Sequence, residues 1–382
     1  MAKNLTNMKK NVLHIIDTTG PGGAETVFIN LVTQLPGNYN PIVVLRGKGW
    51  VYDELIKLGV IPLIIDSKGS FNIAYAWSLV KLIKTHNVHL IHGHLMGSNV
   101  YGSLVSLITR VPMIATFHGD VDVASGERFL KQKFQLINFG AKSIVCVSQS
   151  LIKELGARSE LKQSKLSCIY NGVTVPGEVT TRNNKTTPTA LRNEYALGEQ
   201  EILVTSIGNI RPAKGYPYLI GAAAKLVQNN PLYHFFIVGD PKEPLASQLE
   251  KQTEDLGIVK NIHFLGFREN VREILQQSDI FLLSSVSEGF SISTIEALSE
   301  MIPVIATRSG GPEEIISDGE TGVLVETANP DAICSAVKYL TENIEYKEKL
   351  VANGRAHVAE KFSIESMISQ YTGLYARLLK TY

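Results

Sequence analysis

Two glutamates that lie eight residues apart, Glu288 and Glu296, are the residues of this 382-residue chain whose types and spacing most clearly indicate chemistry. Glu288 follows an apolar run, 279–285, that predicts a buried strand, and Glu296 lies in a segment whose apolar periodicity predicts a helix. Ligands of α/β proteins bind in such loops, outside the carboxyl ends of parallel strands. Carboxylates there can accept hydrogen bonds from sugar or ribose hydroxyls. The simpler interpretation makes Glu288 a solvated loop acid and Glu296 part of a helix-capping box that begins at Ser293.

A second loop of the same kind carries two cations. Arg211 and Lys214 follow a strand predicted at 202–207 and precede a predicted helix. Arginine offers a planar fork and lysine a point charge, and the pair suits a diphosphate. Preorganised cations would also stabilise the charge that builds up on a leaving phosphate. The alternative for either residue alone is a solvated basic loop.

Two glycine-rich turns complete the set of candidate ligand loops. The turn 18–23 (TTGPGG), with Gly22 and Gly23, lies between the first predicted strand and a helix, and the turn 308–314 (RSGGPEE) opens a short helix. Glycines permit close backbone approach, and a helix start offers free N–H groups to an anion. The turn 18–23 does not read GxGxxG, which does not favour binding of a nicotinamide dinucleotide. The alternative is a plain tight turn at 18–23 and, at 308–314, helix-start chemistry alone with Pro312 in the first turn.

Histidines end two of the predicted strands in the first half of the chain. His118 follows the strand 112–117, and we expect it to contact a substrate. His92 ends the preceding strand, 89–92, and His94 follows it as a second candidate for the site. A packed or hydrogen-bonded core histidine is the alternative. The HxH spacing also suits a metal, but the sequence identifies no third ligand.

Composition excludes several classes of function. Lys+Arg 37 against Asp+Glu 36 gives a net charge of +1, which does not favour a nucleic-acid partner. The three cysteines, Cys146, Cys168 and Cys334, form no CxxC pair, and we interpret them as buried core thiols in a reducing compartment. No apolar run reaches the ~18 residues of a bilayer span, and the apolar stretch 12–16 is too short for a signal-peptide core. We therefore expect a cytoplasmic protein, free or attached to the inner face of a membrane.

Apolar strands alternate with amphipathic helices along the whole chain, which predicts parallel sheets covered on both faces. The alternation stops in the polar segment 174–193, the best candidate for a linker, and then resumes. We expect the α/β class, with two Rossmann-like doubly wound parallel-sheet domains facing a cleft: an N-terminal domain of residues 1–185 and a C-terminal domain of residues 186–363. The segment 364–382 predicts an amphipathic helix that could pack on either domain.

The segment 128–142 mixes basic and apolar residues. Lys131 and Lys133 accompany Phe129, Phe134 and Ile137, among others. Basic amphipathic helices can lie on anionic lipid, so this segment predicts peripheral membrane contact. An ordinary packed helix with a solvated face is the alternative.

Five sequence blocks, taken together and in order, resemble retaining glycosyltransferases of family 4, which have the GT-B fold. The blocks are GGAE, IGNIRPAKGYPYLI, FLG, SEGFSISTIEAL and SGGPEEIISDGETGVLV. The resemblance covers nearly the whole chain and is strongest in the second half. It implies two Rossmann-like domains, a last helix that packs back on the first of them, and no metal or other cofactor.

The resemblance also implies roles for individual residues. The residues with implied catalytic roles are Glu288 at the sugar hydroxyls, His118 at the sugar and acceptor, and Arg211 and Lys214 at the diphosphate. Those implied to bind the donor are Glu296 at the ribose, Gly22 and Gly23 near its phosphate, and Gly289, Phe290 and Ser291 through their loop. Family members often have Gly or Pro where Ser291 stands, so the contact there departs from the family pattern.

The implied reaction transfers a hexose or N-acetylhexosamine from a UDP- or GDP-linked donor to a hydroxyl of a glycan or lipid-linked acceptor, with retention of configuration. Such reactions belong to surface polysaccharide or glycoconjugate synthesis. One alternative is a related activity on the same fold, namely a nucleotide-sugar epimerase or a phosphorylase that needs pyridoxal phosphate. Another is a catalytically silent partner that binds nucleotide sugar.

Overall fold

The computed structural model describes residues 9–66, 72–119, 128–177 and 190–380. Contacts divide the chain into two units: unit 1 comprises Met1–Asn171 with Ile364–Tyr382, and unit 2 comprises Gly172–Ser363. The predicted domain boundary at residue 185 lies outside the described residues, as does most of the predicted linker. The segment after Ser363 is thus part of unit 1, although it follows unit 2 along the chain.

Unit 1 alternates strands and helices, as the apolar pattern predicts. Its strands are β1 Lys10–Ile16, β2 Tyr39–Leu45, β3 Leu63–Ile64, β4 Leu90–His94, β5 Met113–Phe117, β6 Ser143–Cys146 and β7 Leu166–Cys168. Its helices are α1 Gly23–Thr33, α2 Trp50–Lys57, α3 Ile73–Thr85, α4 Met96–Thr109, α5 Leu130–Gly140, α6 Gln149–Gly156 and, from the end of the chain, α15 Ile364–Lys380.

The described strands of unit 1 form one parallel sheet in the order β3-β2-β1-β4-β5-β6-β7. The chain builds outward from β1 to β3 and then continues on the other side of β1 with β4, so the order reverses between β1 and β4. Every residue of β4 and β5 is buried, because helices cover both faces of a parallel sheet. At one edge, β3 is only two residues long.

Unit 2 repeats the pattern. Its strands are β8 Ile202–Ile207, β9 Tyr233–Val238, β10 Ile262–Gly266, β11 Ile280–Leu283, β12 Val304–Thr307 and β13 Val323–Val325. Its helices are α7 Ala190–Glu194, α8 Tyr216–Asn229, α9 Leu245–Asp255, α10 Val271–Gln277, α11 Ile292–Ser299, α12 Pro312–Ile315, α13 Pro330–Glu342 and α14 Ile344–Lys361.

The described strands of unit 2 are also all parallel, in the order β10-β9-β8-β11-β12-β13. Here the order reverses between β8 and β11. A core of buried aliphatic and aromatic side chains lies under α8 and α13, with Tyr216, Phe235 and Ile333 among its members. The two parallel sheets confirm the predicted α/β fold class.

Some predicted details differ from the structure. The last strand of the unit 1 sheet, β7, ends at Cys168, and α6 lies between β6 and β7, as the alternation of strands and helices predicts. The cysteines are free, but only Cys146 is fully buried; Cys168 and Cys334 are partly exposed. Cys146 and Cys168, distant in sequence, are register partners on β6 and β7. None of the described helices combines the length and apolar character that a bilayer span needs.

Candidate active site

The reversal of strand order in unit 2 brings two of the predicted loops together. The loop with Arg211 and Lys214 follows β8, and the loop with Glu288 follows β11; these two strands are neighbours in the sheet. The loop that begins at Arg308 follows β12, the next strand. Ligands of doubly wound proteins bind outside the carboxyl ends of the strands at this reversal point. The fold alone therefore marks this edge of unit 2 as a ligand site.

The Glu288 carboxylate is held by specific partners. Lys214 Nζ lies 2.7 Å from Glu288 Oε2, and the Ser285 hydroxyl donates to the same oxygen at 3.0 Å. Only 20% of the Lys214 side chain and 14% of the Glu288 side chain are exposed. A charge-assisted contact of this kind is short and directional. The interpretation of Glu288 as a solvated loop acid is therefore wrong.

The backbone of Glu288 joins two glycine loops. Its N–H donates to the Ser309 carbonyl at 2.9 Å, and its carbonyl accepts from Gly311 N–H at 2.7 Å. A Cβ on Gly311 would lie 2.8 Å from the Gly289 carbonyl oxygen, closer than side-chain carbons pack. The absence of a side chain at Gly311 thus permits the contact that orients Glu288.

Glycine is also required where the cationic loop meets β11. Gly215 adopts φ +64°, and a Cβ there would lie 2.1 Å from the Ser284 carbonyl oxygen. The Ser284 hydroxyl in turn donates to the Lys214 carbonyl at 2.9 Å. This close approach brings the 3₁₀ turn Pro212–Lys214 against the end of β11, which explains how Lys214 reaches Glu288.

Arg211 stands at the start of that turn and is exposed. Within the described chain its guanidinium makes no hydrogen bond or ion pair. Lys214, three residues later, is already bound to Glu288. The two predicted cations therefore lie in one loop but differ in state, one engaged by a carboxylate and the other open to solvent.

Glu296 lies in α11, and the structure excludes the capping interpretation. The helix begins at Ile292 with Ser291 as its N-cap, and the Ser291 hydroxyl accepts a bond from Thr294 N–H. Ser293 is therefore inside the helix, and Glu296 is too far along it to cap the first turn. Burial, and to a smaller extent the Glu300 carboxylate, raises the pKa of Glu296 to about 7. A partly buried carboxyl with a perturbed pKa beside a ligand loop is typical of a functional group.

Residues 289–291 connect Glu288 to this helix. Phe290 is buried and its ring packs against Phe362 at 5.7 Å between centroids. Ser291 is 2% exposed and its hydroxyl also accepts from the Thr294 hydroxyl at 2.8 Å. Because that hydroxyl already serves the helix, any contact of Ser291 with a ligand would come from its backbone.

In unit 1 the strand order reverses between β1 and β4, and the glycine turn 18–23 follows β1. Gly22 is the N-cap of α1 and Gly23 its first residue. The Glu25 carboxylate turns back so far that a Cβ on Gly22 would lie 2.4 Å from its Oε2. The Glu25 carboxylate, which belongs to α1, therefore lies directly against this turn. The glycines of the sequence do not predict this contact.

Asp17, directly after β1, is a residue that the sequence did not single out. Its carboxylate accepts from Ser98 N–H at 2.8 Å and from the Ser98 hydroxyl at 2.6 Å. Ser98 lies in the first turn of α4, whose N-cap, Leu95, has no side-chain acceptor. Asp17 therefore performs the capping that Leu95 cannot, and burial raises its pKa.

The predicted histidines form one row, in which His92 and His94 are fully buried and His118, beside His94, is half-buried. His94 Nδ1 and His118 Nε2 are 3.2 Å apart. His92 is bound at both ring nitrogens, to the Tyr375 hydroxyl and to the Thr116 hydroxyl, at 2.7 Å each. Burial lowers the pKa of His118 to about 4 and that of His92 and His94 well below the usual value. These imidazoles are therefore neutral at pH 7.

The row has one further member, His14, which the sequence analysis missed. It is the register partner of His92 across β1 and β4. One ligand atom from each of His14, His92 and His94 lies within 4.8 Å of the others, a metal-ligand spacing. Both nitrogens of His92 are already bonded, so it could bind a metal only by breaking a bond to Tyr375 or Thr116. Among the described residues, His92 is therefore better explained as a hydrogen-bonded core residue, and His14, whose ring nitrogens have no hydrogen-bond partner, packs against its ring.

The structure thus brings Lys214 and Glu288 into contact, with Arg211 in the same loop and Glu296 on the helix that follows Glu288. It puts His118 at the end of β5 in unit 1, in contact with His94. The ligand contacts of these residues stay predictions. Ser285 could have been found in advance from its spacing of three residues before Glu288, whereas no local signal identifies Ser309.

Comparison with known proteins gives matches over both units. A sequence model described as "Glycosyl transferases group 1" matches residues 189–357, and one described as "Glycosyltransferase Family 4" matches residues 21–175. The chain is 28% identical over 324 residues to N-acetyl-alpha-D-glucosaminyl L-malate synthase of Bacillus anthracis, which covers 81% of this chain and 80% of that protein. It is 26% identical over 314 residues to UDP-Gal:alpha-D-GlcNAc-diphosphoundecaprenol alpha-1,3-galactosyltransferase of Escherichia coli, which covers 78% of each.

Solved structures show the same fold. Anabaena Alr3699/HepE, crystallised in complex with UDP and glucose, superposes with a TM-score of 0.84 at 21% identity, covering 96% of this chain and all of that one. A glycosyltransferase from Rickettsia africae superposes with a TM-score of 0.84 at 23% identity, covering 98% of this chain and all of that one. At these identities the likeness establishes the architecture.

Proposed function

This chain belongs to the group 1 glycosyltransferases of family 4 and is a transferase, and from that premise we propose that it moves a hexose or N-acetylhexosamine from a UDP- or GDP-linked donor to a glycan or lipid-linked hydroxyl, with retention. The curated relatives support a nucleotide-sugar donor: the Escherichia coli relative is named for UDP-Gal and for a diphosphoundecaprenol-linked acceptor. A role in surface polysaccharide or glycoconjugate synthesis follows from that class of acceptor.

The observation that carries this proposal is the fixed Lys214–Glu288 pair at the strand reversal of unit 2. When a sugar diphosphate binds, this ion pair can break. Lys214 then contacts the phosphate oxygens, and Glu288 accepts hydrogen bonds from the sugar hydroxyls. Arg211, exposed in the same loop, adds the second charge that a diphosphate requires. Glu296, on the following helix, accepts from the ribose hydroxyls.

The residues contribute mainly charge stabilisation and positioning. As the bond between the anomeric carbon and phosphate lengthens, the leaving diphosphate gains negative charge, which Arg211 and Lys214 stabilise. The acceptor hydroxyl attacks from the same face, and the departing phosphate takes its proton. His118, neutral at pH 7, accepts or donates a hydrogen bond to the sugar and acceptor without adding charge. Exclusion of water protects the donor from hydrolysis.

We propose that this chemistry needs no metal or other cofactor, because the two cations supply the charge that a divalent ion supplies in other transferases. Transfer should continue in excess EDTA at the rate seen without it. A loss of more than about tenfold that Mg²⁺ or Mn²⁺ restores would overturn this part of the proposal.

The test of the function is a screen of UDP- and GDP-hexoses and N-acetylhexosamines. A specific donor raises the melting temperature, since a ligand at 100 times its Kd stabilises the folded state by about 2.7 kcal/mol. The same donor should be slowly hydrolysed without an acceptor, and Glu288→Gln should lose hydrolysis. Donor isomerisation without acceptor would indicate an epimerase instead. Binding without hydrolysis or transfer to lipid-linked or glycan hydroxyls would indicate a silent partner.

The predicted membrane contact needs a revised set of residues. Phe134 and Ile137, counted as lipid-facing from the sequence, are fully buried in unit 1. The exposed apolar side chains are Phe129 and Phe139, each 72% exposed, at the two ends of α5. The helix face that the sequence predicted for lipid is therefore the face that packs on the sheet.

Helix α4 extends the exposed apolar set. The Ser106 hydroxyl donates to the Gly140 carbonyl at 3.2 Å and so joins α4 to α5. Leu107 follows Ser106 along the chain, and Phe139 precedes Gly140, so both lie next to this contact. Leu107 and Ile108 are each about half exposed. The basic residues Arg110, Arg128, Lys131 and Lys142 are exposed on the same two helices or next to them, and neither α4 nor α5 contains an acidic residue.

We propose that this surface, residues 107–110 with 128–142, rests on an anionic bilayer. Charge and apolar area both favour lipid there. Vesicles with phosphatidylglycerol should sediment the protein, and neutral vesicles should not. Lys131→Glu with Phe139→Ser should abolish binding, whereas Lys251→Glu, an equal charge change on α9 of unit 2, should not. Equal binding by both variants would contradict the proposal.

A further inference from the structure

The carboxyl edge of the unit 1 sheet holds a cation that the proposed mechanism does not use. Arg46 directly follows β2, and Asp17 directly follows β1. The last residues of these two strands, Ile16 and Leu45, are register partners. Asp17 and Arg46 therefore leave the sheet from neighbouring positions, at the edge where doubly wound proteins bind their ligands. Arg46 is half-buried there.

Asp17 is the acid that could pair with Arg46, but its oxygens are already occupied. One accepts from Ser98 N–H and the other from the Ser98 hydroxyl. Burial raises the pKa of Asp17, the Ser98 hydrogen bonds lower it, and the Arg46 charge lowers it further. Within the described chain the Arg46 guanidinium makes no hydrogen bond or ion pair. Drawing a charge partly out of water costs free energy, and a bound anion would offset that cost.

A buried phenol belongs to the same cluster. Tyr75 of α3 is only 3% exposed, and its hydroxyl makes no hydrogen bond with a described residue. Burial is the main cause that raises the pKa of Tyr75; the Asp17 charge raises it further, and the Arg46 charge lowers it. The hydroxyl therefore keeps its proton at physiological pH and can donate. Since buried polar groups are nearly always paired, this donor points to a ligand.

The position of Tyr75 is fixed by the helix that Asp17 caps. Its ring packs edge to face on that of Tyr101 in α4, with centroids 4.8 Å apart. The Tyr101 hydroxyl accepts from Asn72 N–H at 2.6 Å, and the Asn72 side chain accepts from Tyr75 N–H at 3.2 Å. Ser98, which binds Asp17, precedes Tyr101 by three residues on α4. The start of α3 is therefore held against the part of α4 that Asp17 contacts.

The cluster adjoins the glycine turn 18–23, which the sequence marks as a ligand loop. Val51 N–H donates to the Thr19 carbonyl at 3.1 Å. A Cβ on Gly49 would lie 2.8 Å from the same carbonyl oxygen, so the absence of a side chain there permits the approach. The loop that begins at Arg46 is therefore packed on the turn, and both lie at one edge of the sheet.

We propose that Arg46 and the Tyr75 hydroxyl bind an oxyanion of the acceptor, a phosphate or a carboxylate. This inference rests on the proposed function in that the bound molecule is taken to be the acceptor; the donor diphosphate has its own predicted cations, Arg211 and Lys214, in unit 2. The guanidinium fork fits either oxyanion with two hydrogen bonds, and the phenol donates a third. The acceptor is therefore an anion that carries a hydroxyl, from a soluble molecule or from a lipid headgroup, and not a neutral glycan.

The first test measures phosphate binding by the full-length protein. Because Arg211 belongs to a second predicted phosphate site, Arg211→Ala protein is the parent, and inorganic phosphate is titrated by calorimetry at constant ionic strength. The parent should bind phosphate, and Arg46→Ala should weaken that binding by about tenfold or more. Tyr75→Phe, which removes only the hydroxyl, should weaken it by about threefold. Lys84→Ala removes an exposed charge in the last turn of α3 and should leave the affinity unchanged.

A conservative variant separates the fork from the charge. Arg46→Lys keeps the charge but loses the planar fork, so its phosphate affinity should lie between those of the parent and Arg46→Ala. Circular dichroism checks the fold of each variant, and Arg46→Lys with Tyr75→Phe decides the question if Arg46→Ala does not fold. A parent that binds no phosphate, or folded variants that bind it as the parent does, would overturn the proposal. An equal loss in Lys84→Ala would overturn it as well, since it would indicate general electrostatic attraction only.

The second test compares matched acceptors at a saturating donor concentration. Glycerol phosphate is paired with glycerol, glucuronate with glucose, and polyprenyl-diphosphate-linked N-acetylglucosamine with free N-acetylglucosamine. Transfer to an anionic member but not to its neutral partner supports the proposal and identifies the source as a soluble phosphate, a carboxylate or a lipid headgroup. Arg46→Ala should raise the KM of that acceptor about tenfold or more, with a smaller effect on the turnover number. Equal use of the neutral partner would contradict the proposal.

The two proposals fail in different ways. If no nucleotide sugar is bound or hydrolysed, the proposed function is refuted, while the phosphate titration still decides whether Arg46 binds an oxyanion. Transfer to a neutral acceptor at a rate that Arg46→Ala does not change would refute the anionic acceptor and leave the transferase intact. Loss of UDP binding in Arg46→Ala, in proportion to the loss of phosphate binding, would assign Arg46 to the donor and overturn this inference.

Discussion

At the scale of single residues, the informative contrast is between two cations in one loop. Lys214 is neutralised by Glu288 in the structure, while Arg211 is exposed. A ligand diphosphate would compete with Glu288 for Lys214 but would find Arg211 free of that competition. We therefore expect Arg211 to carry more of the differential stabilisation of the leaving group.

Replacement of Arg211 by alanine should lower the turnover number by about 10²–10³, the loss seen when one preorganised donor is removed from a comparable site. The melting temperature should stay the same because the side chain is exposed. Arg268→Ala is the control: that arginine forms a half-exposed ion pair with Glu194 elsewhere in unit 2, and its loss should leave turnover near the wild-type value. Wild-type turnover in Arg211→Ala would remove Arg211 from the site.

Glu296 should make folding and donor binding respond to pH in opposite directions. Its folded pKa, about 7, lies above the ordinary value of 4.5. Between these values the unfolded chain is ionised while the folded carboxyl keeps its proton, so this residue lowers stability as pH rises from about 4.5 to 7. Glu296→Gln should therefore raise the free energy of unfolding at pH 8, on the order of 2 kcal/mol, and the gain should vanish near pH 4.5.

The same substitution should weaken donor binding, because an ionised carboxylate is the stronger acceptor for ribose hydroxyls. Wild-type donor affinity should accordingly fall as pH drops below 7. Urea denaturation at several pH values and donor titration measure the two effects. Glu300→Gln provides a comparison: it removes the partner of Arg272 and Gln276 and should shift the pKa of Glu296 downward. A Glu296→Gln protein that is less stable at pH 8 would contradict the assignment.

At the scale of elements, loops were easier to predict than the residues that fix them. The strand–loop–helix pattern located both ligand loops of unit 2, because turn chemistry is local. It misjudged the start of α11 by two residues, since Ser291 and Ser293 are both good caps and only the fold decides between them. The close approach of Gly215 to Ser284 could not be predicted, because it joins loops on two strands that are far apart in sequence.

Glycine at position 215 should be irreplaceable for steric reasons. Gly215 and Gly257 have similar positive φ angles, +64° and +69°, but a Cβ on Gly257 meets nothing within 4 Å. Gly257→Ala should therefore lower the free energy of unfolding by about 1–2 kcal/mol, the strain of an alanine in the left-handed conformation. Gly215→Ala should cost ~1–3 kcal/mol more and should also lower turnover.

Urea denaturation followed by circular dichroism compares the two variants. Equal losses of stability would mean that the contact with the Ser284 carbonyl is relaxed easily, and the steric argument for this loop would fail.

At the scale of the whole molecule, the histidine row escaped sequence analysis because it is assembled from distant parts. His14 and His92 are 78 residues apart yet share a register position on neighbouring strands, and Tyr375 reaches them from the other end of the chain. The sequence shows the HxH spacing of His92 and His94, but it does not show which residues the fold brings next to them. The alternation of strands and helices predicted both sheets, but not which helix would cover this face.

Burial of this row should make unit 1 sensitive to acid. The folded pKa values of His14 and His118, about 3 and about 4, lie below the ordinary 6.5. Below pH 6.5 the unfolded chain binds protons that the folded row does not, so stability is present above that pH and is lost as pH falls. For each of these two residues, the free energy of unfolding should fall by about 1.4 kcal/mol as the pH drops from 7.5 to 5.5.

Tryptophan fluorescence can follow this unfolding in unit 1 alone, because both tryptophans of the chain, Trp50 and Trp77, lie in it. His14→Phe should move the acid transition to lower pH. An acid transition that is unchanged in this variant would mean that His14 is not buried in its neutral form.

The placement of α15 in unit 1 has a consequence for how the protein is made. The ribosome releases residues 364–380 only after all of unit 2 has been synthesised. Until then the first half lacks Tyr371 and Tyr375, and with them the hydrogen bond between the Tyr375 hydroxyl and His92 and the ring contact of Tyr371 with His92. Maturation of the first half must therefore wait for the last segment of the message to be translated.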